Sequence, residues 1–79
     1  MAKINEIRRE TTLKVLKQLK DNYGIERKDF AELADINYNL LNQYLSDKGH
    51  KNIGAKTAAA ITAPLGVEAE WIDQIRNDL

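Results

Sequence analysis

The chain has 79 residues, which is the size of one small domain, and its 12 basic side chains balance 12 acidic ones. The absence of cysteine excludes disulfides and thiol catalysis, and the single histidine, His50, excludes a metal site with several histidine ligands. No apolar run approaches the ~20 residues that a membrane-spanning helix needs, and residues 1–10 lack the apolar stretch of a signal peptide. We therefore expect a cytoplasmic protein with no membrane partner.

Charge is segregated along the chain although the net charge is zero. Residues 1–20 carry +4 and residues 48–63 carry +3, whereas residues 21–47 carry −4 and residues 64–79 carry −3. Nucleic-acid-binding domains are usually basic, so zero net charge argues weakly against that class. If the fold brings the two basic segments together, however, they form one anion-binding face.

Helix-forming residues dominate the chain, and apolar residues recur at steps of three and four positions, which is helical spacing. No stretch shows the period-two alternation of a strand. Gly24, Pro64 and Gly66 mark helix ends, because Gly adopts the left-handed cap conformation and Pro lacks an N–H. We predict an all-α fold of five short helices, over about 4–22, 27–34, 38–46, 54–63 and 68–78.

The most informative stretch is RKDFAELADINYNLLNQYLS, residues 27–46. It predicts two short helices joined by a turn of three residues, Asp35 to Asn37, in which Asn37 is a good N-cap for the second helix. Ala31 lies where the two helices cross, and its small side chain lets their backbones approach. This pattern resembles a DNA-binding helix-turn-helix.

Three further segments extend the resemblance: IRRETTL at 7–13, NIGAKTAAAI at 52–61 and LGVEAEWID at 65–73. Together they make residues 7–73 similar to the lambda-repressor-like (Cro/CI-type) family of phage and prokaryotic repressors. The family usually has Gly at the turn position held here by Asp35, which tolerates a left-handed backbone better than most residues. Glu26 also replaces the usual Ser or Thr cap, Tyr44 an aliphatic residue, and Pro64 falls inside the family's fourth helix.

The resemblance implies that helix 38–46 enters the major groove and reads base edges with its outward side chains. These are Tyr38, Asn39, Asn42, Gln43 and Ser46. The helix contains no Arg or Lys, so the commonest guanine contact is missing, and we predict adenine opposite Asn39 and Gln43. A polar face that only keeps the protein soluble is the competing interpretation.

Phosphate contacts supply most of the affinity of such domains, and they come from cationic side chains, polar side chains and backbone N–H groups. The candidates flank the predicted recognition helix: Arg27, Lys28, Asn37, Lys48, Lys51, Asn52, Gly54 and Lys56. Each lysine alone is equally well explained as a solvated surface charge. We interpret His50 as a loop residue without a catalytic role.

Relatives of the type that the chain resembles bind pseudo-palindromic operators as two-fold dimers. The candidate interface residues are Trp71, Ile72, Ile75 and Leu79. The same residues also fit the core of the monomer. We expect Trp71 or Ile72 to point inward and Ile75 and Leu79 to be more exposed.

The predicted function is that of a sequence-specific regulator of transcription, a repressor, with double-stranded DNA as its partner, and such a protein is expected to associate with the nucleoid in the cytoplasm. An enzyme is not expected, because the sequence shows no phosphate loop and no nucleophile with a base beside it, and we expect no cofactor and no small-molecule substrate. Two alternatives stay open: a protein-interaction adaptor that has lost DNA binding, and the antitoxin of a toxin–antitoxin pair. Both a complete Cro-like regulator and one domain of a longer repressor fit the pattern.

Overall fold

The computed structural model describes residues 4–46 and 51–74, and every regular element in those two ranges is helical. The α-helices are α1 (Ile4–Tyr23), α2 (Arg27–Leu33), α3 (Tyr38–Tyr44) and α4 (Ala55–Thr62), followed by two 3₁₀ helices, Ala63–Leu65 and Ala69–Asp73. The all-α prediction is therefore confirmed. The prediction of five helices is wrong, because the described residues form four α-helices.

Within the described part of the predicted helix over 68–78, which extends to residue 74, the structure has the short 3₁₀ helix Ala69–Asp73. Gln74 is extended, with φ −116° and ψ 145°, so the helical turn ends at Asp73. The carbonyl of Gln74 accepts a hydrogen bond from Oγ1 of Thr11 at 3.0 Å. That oxygen is thus engaged by α1.

Helix ends otherwise follow the residues that the sequence marks. Gly24 and Gly66 have φ of 70° and 71°, and each directly follows a helical segment, α1 and Ala63–Leu65. Pro64 lies inside the short 3₁₀ helix that follows α4. The prediction that the fourth helix ends or kinks at Pro64 is confirmed.

The core draws on every helix and on the segment before α4. Its largest members with 0% or 1% exposure are Phe30, Leu41, Ile53, Ile61 and Ile72. Two buried threonines donate to backbone oxygens one turn earlier: Thr12 donates to the carbonyl of Arg8 at 2.7 Å, and Thr62 donates to that of Ala58 at 2.8 Å. A chain this small thus forms a single core that positions its short helices.

The connection between α2 and α3 shows the features that the sequence singles out, although α2 ends at Leu33 and four residues, not three, separate the two helices. Ala31 is 2% exposed, and its carbonyl accepts the N–H of Ile36 at 2.9 Å. Asp35 is in the left-handed region with φ 56°. Oδ1 of Asn37 accepts the N–H groups of Asn39 at 2.9 Å and Leu40 at 3.3 Å, so Asn37 caps α3.

Asp35→Gly should raise the free energy of unfolding by about 0.5 kcal/mol, because glycine adopts positive φ without the steric cost of a Cβ atom. Asp21→Gly is the matched control within α1, where glycine should lower stability by up to about 0.5 kcal/mol. Urea denaturation of both variants measures whether each substitution raises or lowers the free energy of unfolding. A loss of stability in Asp35→Gly would contradict the account of the turn.

Candidate nucleic-acid interface

Burial of one side of α3 determines which side chains it presents to solvent. Leu41 is fully buried and Leu45 is 4% exposed. Tyr38 is 44% exposed, and Asn39 and Gln43 are exposed as well. Three of the five predicted base-reading residues therefore lie on one exposed face.

The other two predicted base-reading residues have different settings. Ser46 is half-buried and lies beyond α3, which ends at Tyr44 and not at 46 as predicted. Nη1 of Arg9 donates to the carbonyl of Ser46 at 2.9 Å, which ties the backbone after α3 to α1. Ser46 thus does not project from α3.

Asn42 is half-buried because it contacts α2. Nη1 of Arg27 donates to Oδ1 of Asn42 at 2.9 Å. Arg27 is the first residue of α2, so this hydrogen bond joins the start of α2 to the middle of α3. The structure thereby brings together a residue predicted to contact phosphate and one predicted to read bases.

A second polar contact holds α3 against α4. Oγ1 of Thr57 donates to the hydroxyl oxygen of Tyr44 at 3.2 Å. With the Arg9 and Arg27 contacts, α3 and the residues just after it are hydrogen-bonded to α1, α2 and α4. Its exposed face is presented by a helix fixed on several sides.

Several predicted phosphate-contacting residues lie near the start of α4. Lys51, Asn52, Gly54 and Lys56 are all exposed. Gly54 is the N-cap residue of α4, and no protein atom outside its immediate chain neighbours lies within 4 Å of the place where its Cβ would be. The backbone at this helix start is therefore open to a close approach.

A groove runs between the α2–α3 turn and α4. Its lining residues are Asp35, Ile36, Asn37, Leu40, Tyr44, Lys56, Thr57 and Ala60. Two predicted phosphate contacts, Asn37 and Lys56, share this groove, together with the carboxylate of Asp35. The N-cap contacts of Asn37 use its oxygen, which leaves the NH₂ group of that amide as the donor for a ligand.

The remaining predicted residues are distributed more widely. Lys28 is exposed on α2, while Lys48 and His50 lie outside the described residues. Among the predicted dimer contacts, Trp71 is half-buried, and Ile75 and Leu79 again lie outside the described residues. Ile72 has 0% exposure, so it belongs to the monomer core and offers no area to a second copy.

The most consequential residue that the sequence interpretation missed is Arg8. Its Nε donates to Oδ1 of Asp73 at 2.6 Å, its Nη2 to Oδ2 at 3.3 Å, and its Nη1 to the carbonyl of Ile53 at 2.6 Å. Arg8 thus connects α1 with both the segment before α4 and the 3₁₀ helix Ala69–Asp73. Because Asp73 is 65 positions away, nothing in the local sequence pattern identifies this pair.

Glu26 illustrates a second missed contact. The sequence presents it as a poor N-cap for α2. In the structure its backbone N–H donates to Oδ2 of Asp29 at 3.1 Å, which is the reciprocal half of a capping box. The signal is an acidic residue three positions after the cap.

Comparison with known proteins yields no relative: no family model matches the chain, and no curated protein or solved structure matches it significantly. Within the described ranges, no helix combines the length and apolarity required to cross a bilayer. The same residues contain no group of three His, Cys, Asp or Glu side chains that could hold a metal ion. The interpretation of function therefore depends on the geometry of the residues themselves.

Arg8→Met should lower the free energy of unfolding by about 1–3 kcal/mol, because it removes hydrogen bonds from a charged, largely buried group. The matched control is Lys20→Met, which breaks the exposed Lys20–Glu26 pair at 3.6 Å and should cost less than about 0.5 kcal/mol. Thermal or urea unfolding measures the loss of stability in Arg8→Met and in Lys20→Met. Equal losses of unfolding free energy would show that the Arg8 contacts stabilise the fold no more than an exposed ion pair does.

Proposed function

We propose that the chain is a sequence-specific double-stranded DNA-binding regulator of transcription, in which α2, the turn and α3 act as a helix-turn-helix. The observation that carries this proposal is the exposed polar face of α3, which presents Tyr38, Asn39 and Gln43 from a helix held by α1, α2 and α4. Rigid presentation matters because ordering a side chain or a loop on binding costs free energy, and this cost offsets the gain from hydrogen bonds to base edges.

The candidate phosphate-binding groups come from the starts of the two helices that α3 contacts through hydrogen bonds, α2 and α4. Arg27 and Lys28 open α2, while Lys51, Gly54 and Lys56 lie at or near the start of α4. In a complex with α3 in the major groove, these groups would meet the two DNA strands that border the groove. Zero net charge does not oppose this arrangement, since the local distribution of charge decides where DNA binds.

Two copies on a two-fold operator complete the proposal, because the seven residues of α3 reach only a few base pairs. Trp71, half-buried on the 3₁₀ helix Ala69–Asp73, is the one predicted interface residue that is both described and partly exposed, and Ile75 and Leu79 stay predicted members of the interface. Repression by occlusion of the polymerase is the regulatory outcome that the family resemblance implies.

Selection from a randomised duplex DNA library at moderate salt tests the proposal directly. An enriched inverted repeat with half-sites about one helical turn apart supports specific dimeric recognition. Enrichment of one half-site alone supports DNA recognition by a monomer. No enrichment and no salt-sensitive retention would refute the proposal and favour the adaptor function, for which the Trp71 surface is the first place to look for a protein partner.

Replacing Asn39 and Gln43 together with alanine should abolish most base discrimination, a loss of about 1–3 kcal/mol for each bidentate contact. The matched control is the double alanine variant of Gln18 and Asn22, an exposed amide pair with the same spacing on α1, joined at 3.0 Å. Fluorescence anisotropy with the selected and a scrambled duplex measures both. An equal loss of affinity for the two duplexes would show that α3 does not read bases.

Lys51→Ala and Lys56→Ala should weaken binding to all duplexes alike, and each should reduce the slope of log affinity against log salt by about one. Lys20→Ala, which removes an exposed cation paired with Glu26, is the control and should leave the slope nearly unchanged. Titration of binding at several salt concentrations gives the slopes. Equal slopes for all four proteins, wild type included, would exclude phosphate contacts at the start of α4.

A further inference from the structure

The hydrogen bond between Arg27 and Asn42 restricts what Asn42 can recognise. The distance from Nη1 of Arg27 to Oδ1 of Asn42 is 2.9 Å, and both side chains are half-buried. A guanidinium group only donates hydrogen bonds, so the atom of Asn42 that faces it must be the amide oxygen. Oxygen and nitrogen diverge from the same carbon, and the NH₂ group therefore points away from Arg27.

We propose that Arg27 is a specificity-determining residue, which holds Asn42 as a hydrogen-bond donor so that this position of α3 selects guanine over adenine. The inference rests on the proposed function and specifies the base read at one position. It differs from the adenine preference expected at Asn39 and Gln43, whose exposed amides can offer both oxygen and NH₂.

The chemistry of base edges carries the choice of guanine. A bidentate contact with adenine requires the amide oxygen to accept from N6 while the NH₂ group donates to N7. At Asn42 the oxygen faces Arg27 and accepts from it, so N6 of adenine could use that oxygen only by sharing it with a cationic donor, whereas the NH₂ group points away from Arg27. Guanine presents two acceptors, O6 and N7, in the major groove. The NH₂ group of Asn42 can therefore donate to guanine, and guanine places no amino group opposite it that would need an acceptor.

The charge of Arg27 favours the same base. Its guanidinium places a positive charge and further N–H donors beside Asn42, close to any base edge that Asn42 meets. The carboxylate of the preceding residue, Glu26, forms an ion pair at 3.6 Å with Nζ of Lys20, which is a different cation from Arg27. The guanidinium would therefore attract the two acceptors of guanine and disfavour the amino group of adenine. Arginine from α2 thus compensates for the absence of arginine and lysine from α3.

Selection from a randomised duplex library with wild type and Arg27→Met tests this inference. The wild type should enrich guanine at one position of each half-site. In Arg27→Met the released amide can offer both of its groups, so the guanine-to-adenine ratio at that position should fall by about two- to tenfold while other positions keep their preference. Lys28→Met, which removes the next cation along α2, is the control and should weaken binding without changing any base preference.

Asn42→Ala provides a second variant should Arg27→Met not fold, and it should lose the preference at the same single position. If the wild type enriches a sequence but neither variant changes the preference, Arg27–Asn42 is only a tie between helices, and the inference is overturned while the proposed function stands. If the wild type enriches no sequence, the proposed function fails, and this inference fails with it.

Discussion

The burial of Leu41 determines how α3 is oriented. Successive residues of an α-helix are turned by about 100°, so residues two positions away from a buried side chain point to the opposite side. Asn39 and Gln43 lie two positions before and after Leu41, and both are exposed. The polar face proposed to meet DNA is therefore a direct consequence of one leucine in the core.

Arginines supplement the apolar core in holding the short helices together. A chain of this size buries only about 60% of its unfolded surface, so its core alone gives limited stability. Arg8 joins α1 to Ile53 and Asp73, Arg9 joins α1 to the backbone after α3, and Arg27 joins α2 to α3. The fork of donors on a guanidinium suits this role, since one side chain can bond to two segments at once.

The sequence predicts those parts of the fold that depend on near neighbours. The left-handed Asp35, the cap at Asn37 and the end of α4 near Pro64 follow from local chemistry, and all three appear in the structure. Of the helix predicted over 68–78, the described residues form only the 3₁₀ helix Ala69–Asp73, and the carbonyl of Gln74 just after it accepts from Thr11, a partner far away in sequence.

The candidate site shows the same division between local and long-range information. Helical spacing correctly places Tyr38, Asn39 and Gln43 on an exposed face. Spacing alone does not reveal that Asn42 is engaged by Arg27, because a contact between side chains of two helices depends on how those helices cross. The role of Arg8 is missed for a related reason: a basic residue on a helix looks like a solvated charge until its distant partner is known.

The measurement that tests the central claim most directly is amide chemical-shift mapping by NMR during titration with the selected duplex. We predict that the largest shifts fall on α3 around Tyr38, Asn39 and Gln43 and at the start of α4 near Lys56, with little change at Gln18. Shifts concentrated instead on the 3₁₀ helix Ala69–Asp73, with α3 unaffected, would contradict recognition of DNA by α3.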